Sequence, residues 1–301
     1  MSSLKDRIIS LKKERGALIL AHYYQTMDVQ DIADCVCDSF EMARRARAAE
    51  EDLLIVCGVH FMAESAKILN PGKTVLLPSP EAGCPMADMV DPEEVEALRE
   101  RYPGAAVVCY VNTSAAVKAA CDVCCTSSSA LKIVKALPEK RIIFLPDRNL
   151  GAFVASQAPE KEVILFDGYC PVHDRVAESD ARAAKEQHPE AKLLVHPECR
   201  KEVLAYADHI GSTAEIINAA LSSNAGEFII GTETGVVERL AALAPEKRFY
   251  ALQSGFICHD MKKTSLSDVL YSLETGQYEI TLDAGVLKAA GRSLERMVGM
   301  G

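Results

Sequence analysis

The chain has 301 residues, 49% of them hydrophobic and 25% charged, a balance that excludes disorder and is long enough to bury a sizeable core. Its 43 acidic against 33 basic side chains leave a net charge of −10, which argues against a nucleic-acid footprint and a polybasic membrane anchor. No apolar run approaches a transmembrane helix, and the start MSSLKDRIISLKKERG lacks the apolar stretch of a secretory signal, so a cytoplasmic protein is expected.

In chain order, the pattern predicts three successive α/β units. The first opens with a strand over ALILAHYY (17–24), passes a short helical stretch and reaches a turn into serine at VCDSF. A helix over SFEMARRARAAE (39–50) follows, opened by its serine and with Glu41 in the first turn. Then come the strand LLIVCG, another helix, the strand TVLLPSP and the loop EAGCP with Cys84. The second unit repeats the succession as AAVVCYVN (105–112), CCTSSS, RIIFLPD and EVILFDG, closed by DGYCP with Cys170. The third runs KLLVHPE (192–198), IGSTAE, EFIIGTE and RFYALQS, closed by SGFICHD with Cys258.

The register repeats although the residues do not. The loop cysteines lie 86 and 88 residues apart. From His22, Tyr110 and His196 to the following loop cysteine the distance is 62, 60 and 62 residues, and to Ser39, Ser127 and Ser212 it is 17, 17 and 16. Strands alternating with helices read as βαβ and parallel sheet. Length alone suggests about two domains; the repeat argues for three αβα, Rossmann-like domains over 1–86, 87–172 and 173–260, with a helical tail over 261–301 packed on them. Ligands in such sheets bind beyond the carboxyl ends of the strands. His22, Tyr24, Tyr110, Asn112, His196, Glu198, the serine turns and the three cysteines all fall there, so the strand ends are expected to converge on one cavity.

Eleven cysteines in a reducing compartment call for metal, catalysis or burial before disulfides. Cys57 and Cys109 sit in apolar runs and read as buried small hydrophobes. Cys84, Cys170 and Cys258 lie in glycine-containing loops, where thiolates are accessible and able to ligate. One cysteine per unit cannot build a zinc ribbon, whose ligands come in local pairs, and suits instead a [4Fe–4S] cluster at the junction of the units. Three ligands for four irons leave one iron open as a Lewis acid; the competing reading is three unrelated loop cysteines. Cys121, Cys124 and Cys125 (CDVCC) are a redox pair, an adventitious metal site or a buried strand, and Cys35 and Cys37 look incidental. His60, His173, His188 and His209 are read as structural.

AHYYQ (21–25), DSFEMA (38–43), EAGCPMADM (81–89), YVNTSAAVKA (110–119), CTSSSA (125–130), LPDRNLG (145–151), FDGYCPVH (166–173), HPEC (196–199), GSTAEI (211–216), GTETG (231–235) and DMKKTSL (260–266) resemble the motifs of quinolinate synthase, the iron–sulfur enzyme of de novo NAD synthesis. The resemblance covers residues 3 to 298 and is to the type without an appended C-terminal cysteine motif. CTSSSA departs from it, since the family more often has Asn in the place of Ser129. The resemblance implies a triangle of three αβα sandwiches around a central [4Fe–4S] cluster held by Cys84, Cys170 and Cys258. It implies condensation of iminoaspartate, supplied by L-aspartate oxidase, with dihydroxyacetone phosphate to give quinolinate, phosphate and two waters.

That chemistry moves protons, and Tyr24, Glu198, His22 and Tyr110 are the acid–base candidates. It also binds anions, for which Ser39, Ser127, Ser212 and Thr213 stand at turns opening helices and His196 and Asn112 add donors. The resemblance makes His22, Ser39, Tyr110, Asn112, Ser127, His196, Glu198 and Thr213 substrate contacts. The bland readings are plain helix caps for the hydroxyls, a solvated helix-start acid for Glu198 and wet rim residues for the rings. Other classes are a redox or iron sensor or electron carrier that merely houses the cluster, and a cluster-free triose- or phosphate-binding module.

Overall fold

Short runs of Ile, Val, Leu and Ala, interrupted by polar turns, make twelve strands in the computed structural model, which describes residues 3–301. In the first unit these are β1 (Ala17–His22), β2 (Cys35–Cys37), β3 (Leu53–Cys57) and β4 (Thr74–Leu76). The second holds β5 (Ala106–Tyr110), β6 (Val123–Cys125), β7 (Arg141–Leu145) and β8 (Glu162–Leu165). The third holds β9 (Lys192–Val195), β10 (His209–Ile210), β11 (Glu227–Gly231) and β12 (Arg248–Ala251). They form three separate four-stranded sheets with one order, β2-β1-β3-β4, β6-β5-β7-β8 and β10-β9-β11-β12, and every pair within them is parallel. Helices cover the sheets, so β3 and β5 are buried along their whole length. The chain is thus an α/β protein of three repeated αβα units. In each, the strand order reverses beside the first strand, which opens a crevice at the carboxyl ends.

One device, missed in the sequence reading, recurs in all three units. Asp34, Asp122 and Asp208 each accept the backbone N–H of the first strand, from Ile19 at 2.8 Å, Val107 at 2.7 Å and Leu193 at 2.7 Å. Each donates its own N–H back to the carbonyl of that same residue. Each is also paired to a cation of the helix that precedes the first strand, Lys12, Arg99 or Lys185, at 2.8–3.0 Å. The carboxylate satisfies a strand donor that the short second strand does not reach, and so sets where that strand enters the sheet.

Several local expectations shift. The first strands stop at His22, Tyr110 and Val195, earlier than their apolar and aromatic runs suggest, so His22 and Tyr110 end their strands while Tyr24, Asn112, His196 and Glu198 lie on the turns just beyond. The helix expected over 39–50 runs Ser39–Ala48, and its cap is Asp38, whose carboxylate accepts the Glu41 N–H at 3.0 Å. Ser39 is therefore the first helical residue and its hydroxyl is not used as the cap.

The tail is not purely helical. Helix Leu266–Thr275 packs on helix Leu4–Arg15, while residues 278–280 run beside β4, with Leu77 N–H to the Tyr278 carbonyl at 3.1 Å and Ile280 N–H to that of Val75 at 2.8 Å. Helix Ala284–Met300 lies against helix Ala115–Ala120, β6 and helix His60–Leu69, and so spans the first two units. Among the described residues no helix is long and apolar enough to cross a membrane.

Candidate active site

The strand ends of all three units face one cavity of about 260 Å³. Every candidate residue except Ser212 lines it, including all three loop cysteines. Ser212 is fully buried and caps helix Thr213–Ser222: its hydroxyl accepts the Glu215 N–H at 3.3 Å, while its own N–H goes to the Glu215 carboxylate at 2.7 Å. Both groups are used locally, and it is the neighbouring Thr213 that reaches the cavity.

His22 and His196 stand at corresponding places in the first and third units and are fixed by the same local turn. In each, Nδ1 accepts the backbone N–H two residues on, from Tyr24 at 3.1 Å and from Glu198 at 3.3 Å. Burial keeps both rings neutral, holding His22 down to about 3 and His196 to about 4. A neutral ring with Nδ1 accepting carries its proton on Nε2. That of His196 points to the Ser127 hydroxyl at 3.2 Å. Asn112 adds an amide whose buried Oδ1 has no hydrogen-bond partner among the described residues.

Glu198 is 3% exposed and makes the anionic centre. Extended backbone after His196 would put the two side chains on one face; instead the chain turns through Pro197, with the Cys199 N–H on the His196 carbonyl at 3.0 Å, and the turn brings them together. Glu198 Oε2 lies 3.7 Å from His196 Nδ1 and 2.9 Å from His173 Nδ1. Burial alone would raise its carboxyl, but the two imidazoles and a hydrogen bond from Tyr110 outweigh that and hold it down to about 2. Tyr24 sits opposite, its hydroxyl 3.0 Å from Thr213 Oγ1 and 2.7 Å from Thr232 Oγ1, and burial raises it well above the ordinary phenol range.

His173, read as structural from sequence, belongs to this group. Its Nδ1 faces both Glu198 and, at 3.2 Å, Cys170 Sγ, while Nε2 meets Thr232 Oγ1 at 3.0 Å. Its place three residues after a loop cysteine was the only available signal; its partner lies 25 residues further on.

Two more buried acidic side chains, from neighbouring strand ends, hold the cysteine loops. Asp147, two residues past β7, accepts the N–H groups of Cys170 at 3.0 Å and Leu150 at 2.7 Å. Glu233, two residues past β11, accepts those of Cys258 at 3.4 Å and Gly235 at 2.7 Å, and pairs with Lys262 at 3.1 Å. Asn149 ties the same region to the acid–base group through the Glu198 carbonyl at 3.0 Å.

Cys84, Cys170 and Cys258 are free thiols. Burial raises all three, Cys84 to about 12 and Cys258 to about 11, so without a bound cation they stay protonated. Three soft sulfur donors from three loops facing one cavity are a donor set that fits an iron–sulfur cluster, and metal binding is the ordinary agent that deprotonates such thiols. The ligating atoms of Cys170, His173 and Glu198 also lie within 4.8 Å of one another, a spacing that could hold one metal ion.

A three-unit α/β fold that gathers neutral imidazoles, a buried carboxylate and free thiols around one cavity defines an enzyme of the cofactor- or metal-assisted kind. The comparisons specify which. Residues 6–299 match the family model of quinolinate synthetase A protein. The chain is 51% identical over 298 residues to the quinolinate synthase of Caldicellulosiruptor saccharolyticus, covering 99% of this chain and 98% of that one. It is 50% identical over 297 residues to that of Methanoregula boonei (99% and 98%), and 47% over 302 residues to quinolinate synthase 2 of Methanosarcina acetivorans (99% and 97%). The chain belongs to the quinolinate synthetase A family of enzymes.

Proposed function

We propose that this chain forms quinolinate for NAD synthesis by condensing iminoaspartate with dihydroxyacetone phosphate, releasing phosphate and two waters. Cys84, Cys170 and Cys258 would hold a [4Fe–4S] cluster, which when bound supplies a Lewis acid to substrate oxygen and assists loss of water. The observation that carries the reading is the convergence of three thiols and the His173–Glu198–His196 group on one cavity. Iminoaspartate would come from L-aspartate oxidase.

The side chains divide the work by their protonation. The Nε2–H groups of His22 and His196, with the Ser39 and Ser127 hydroxyls, the Asn112 amide and Thr213, offer donors for a dicarboxylate and a phosphate. Neutral imidazoles suit this role, because they donate without adding charge that would have to be lost as the anions leave. Glu198 is the anionic proton acceptor, and His173 Nδ1–H steadies it. Tyr24 and Tyr110, both protonated at neutral pH, can donate a proton to a developing oxyanion or leaving hydroxyl.

The test is quinolinate formation from the two substrates by anaerobically reconstituted protein, with iron and sulfide counted in the same sample. Quinolinate that appears only with cluster supports the reading. Full iron and sulfide with no product would leave a cluster-housing carrier, and product without iron would leave a cluster-free module.

A further inference from the structure

Two thiols outside the cavity lie together on an open edge of the first sheet. Cys35 and Cys37 are the ends of the three-residue strand β2, which among the described residues pairs only with β1. Alternation turns both to one face. It is the face of Leu20, which is in register with Cys35, and both cysteines pack there against the apolar core. Both are free; Cys37 is buried and Cys35 partly exposed. Neither lines the cavity.

We propose that Cys35 and Cys37 are a peroxide-reactive dithiol that closes reversibly to a disulfide, a modification site separate from the catalytic cavity and its cysteines. Reactive thiols are ionised, accessible and beside a resolving partner. Cys35 meets each condition: a hydrogen bond from Cys37 and the Arg45 guanidinium outweigh burial and draw its thiol down to about 7. The Cys35 thiolate attacks hydrogen peroxide and, with one proton taken up, gives Cys35 sulfenic acid and one water. The Cys37 thiol then displaces the second water, so two thiols and one peroxide become one disulfide and two waters.

Closure has a structural consequence. Side chains two apart on an extended strand stand roughly 6.5 Å apart, whereas disulfide Cβ atoms lie about 3.5–4.5 Å apart. β2 must therefore shorten. Its moving end carries the Cys37 carbonyl, which accepts the Tyr23 N–H at 3.2 Å, and leads directly into Asp38 and Ser39 at the cavity wall. Oxidation would loosen that wall from a partly buried edge strand.

The experiment uses the full-length protein without cluster, so that cluster oxidation is not read, and near-stoichiometric hydrogen peroxide. Alkylation and peptide mass analysis should show loss of two alkylatable thiols and of two hydrogens in the peptide holding Cys35 and Cys37, restored by dithiothreitol. In Cys37→Ala a dimedone adduct should appear on Cys35; in Cys35→Ser, Cys37 should stay reduced. Backbone amide exchange over residues 38–42 should rise in oxidised wild type and not in peroxide-treated Cys35→Ser. Both thiols remaining alkylatable while other cysteines oxidise would overturn the proposal, as would dimedone on Cys37 in the wild-type chain or a disulfide from Cys35 to another cysteine.

Discussion

The base of the three sheets and their carboxyl ends are built to different requirements, and the contrast is visible residue by residue. At the base, Asp34, Asp122 and Asp208 make the same two backbone contacts and the same ion pair in every unit. At the carboxyl ends one backbone bond repeats, from the His60, Arg148 and Thr234 N–H groups to the Ala82, Gly168 and Phe256 carbonyls at 2.8–2.9 Å, but the side chains around it differ. The end of the first strand is marked by His22, Tyr110 or His196, and two residues on by Tyr24, Asn112 or Glu198. The loops of Cys170 and Cys258 hang in addition on the buried side chains of Asp147 and Glu233, while the first unit has Val59 in that place, which offers its loop no acceptor. Forming a parallel sheet is one problem solved three times. A cavity that must bind anions, move protons and hold thiols needs three different walls.

The largest effect expected of this contrast is at the loop cysteine, a side chain that all three ends do share. Cys84→Ala, Cys170→Ala and Cys258→Ala should each abolish the visible absorption of reconstituted protein and its quinolinate formation. Cys57→Ala and Cys109→Ala, fully buried on the strands, should keep both. A full cluster in Cys170→Ala would break the comparison, since the three loops would no longer act as one site.

Next in size is the acid–base group peculiar to the third unit. Glu198→Gln keeps the shape and removes the carboxylate, so turnover at matched iron content should fall by roughly 10²–10⁴. His196→Ala removes a donor and should raise KM as well as lower kcat. Wild-type turnover in Glu198→Gln would return that residue to a buried structural acid.

The cysteine-loop carboxylates come third. Asp147→Ala leaves the Cys170 and Leu150 N–H groups without that acceptor, which costs about 1–3 kcal/mol for the fully buried Leu150 donor and less for the partly buried one of Cys170. Urea unfolding of cluster-free protein measures the loss. Val59→Ala, in the corresponding place of the first unit, removes apolar volume and no hydrogen bond, so its cluster content should be unchanged while that of Asp147→Ala falls.

Much of this was legible in sequence, for identifiable reasons. Apolar runs bounded by Gly and Pro gave the strands, and constant intervals gave the repeat, because both depend on neighbours along the chain. The strand ends were overextended because Tyr23, Tyr24 and Val111 continue the hydrophobic pattern while the chain already turns. Asp34, Asp122 and Asp208 carried a signal that went unread: they lie 88 and 86 residues apart, the interval of the cysteines. His173 and Thr232 carried almost none, because their importance comes from partners in other segments. The same holds for residues 278–280, whose pairing with β4 depends on where the tail docks and not on their own composition.

The smallest predicted effect concerns the repeated base, where the charge and the hydrogen bond can be separated. Asp208 accepts the Leu193 N–H at 2.7 Å and pairs with Lys185 at 2.9 Å. Burial would raise its carboxyl, but the backbone donor and the lysine prevail and the group sits below its ordinary value. Its folded-state pKa is therefore depressed. The stabilisation is present above the unfolded-state pKa of about 3.9 and is lost as pH falls through the lower, folded value. Asp208→Asn keeps an oxygen acceptor for Leu193 and loses only the charge. The ion pair is partly exposed, so screening limits the loss to about 1 kcal/mol or less at pH 7. Asp208→Ala also orphans the strand donor and should lose about 1–3 kcal/mol. In urea titrations the gap between wild type and Asp208→Asn should close as pH drops through the acid range, while the gap to Asp208→Ala should narrow but persist. A wild-type advantage over Asp208→Asn that grows on acidification would reverse the sign and refute the assignment of charge to this site.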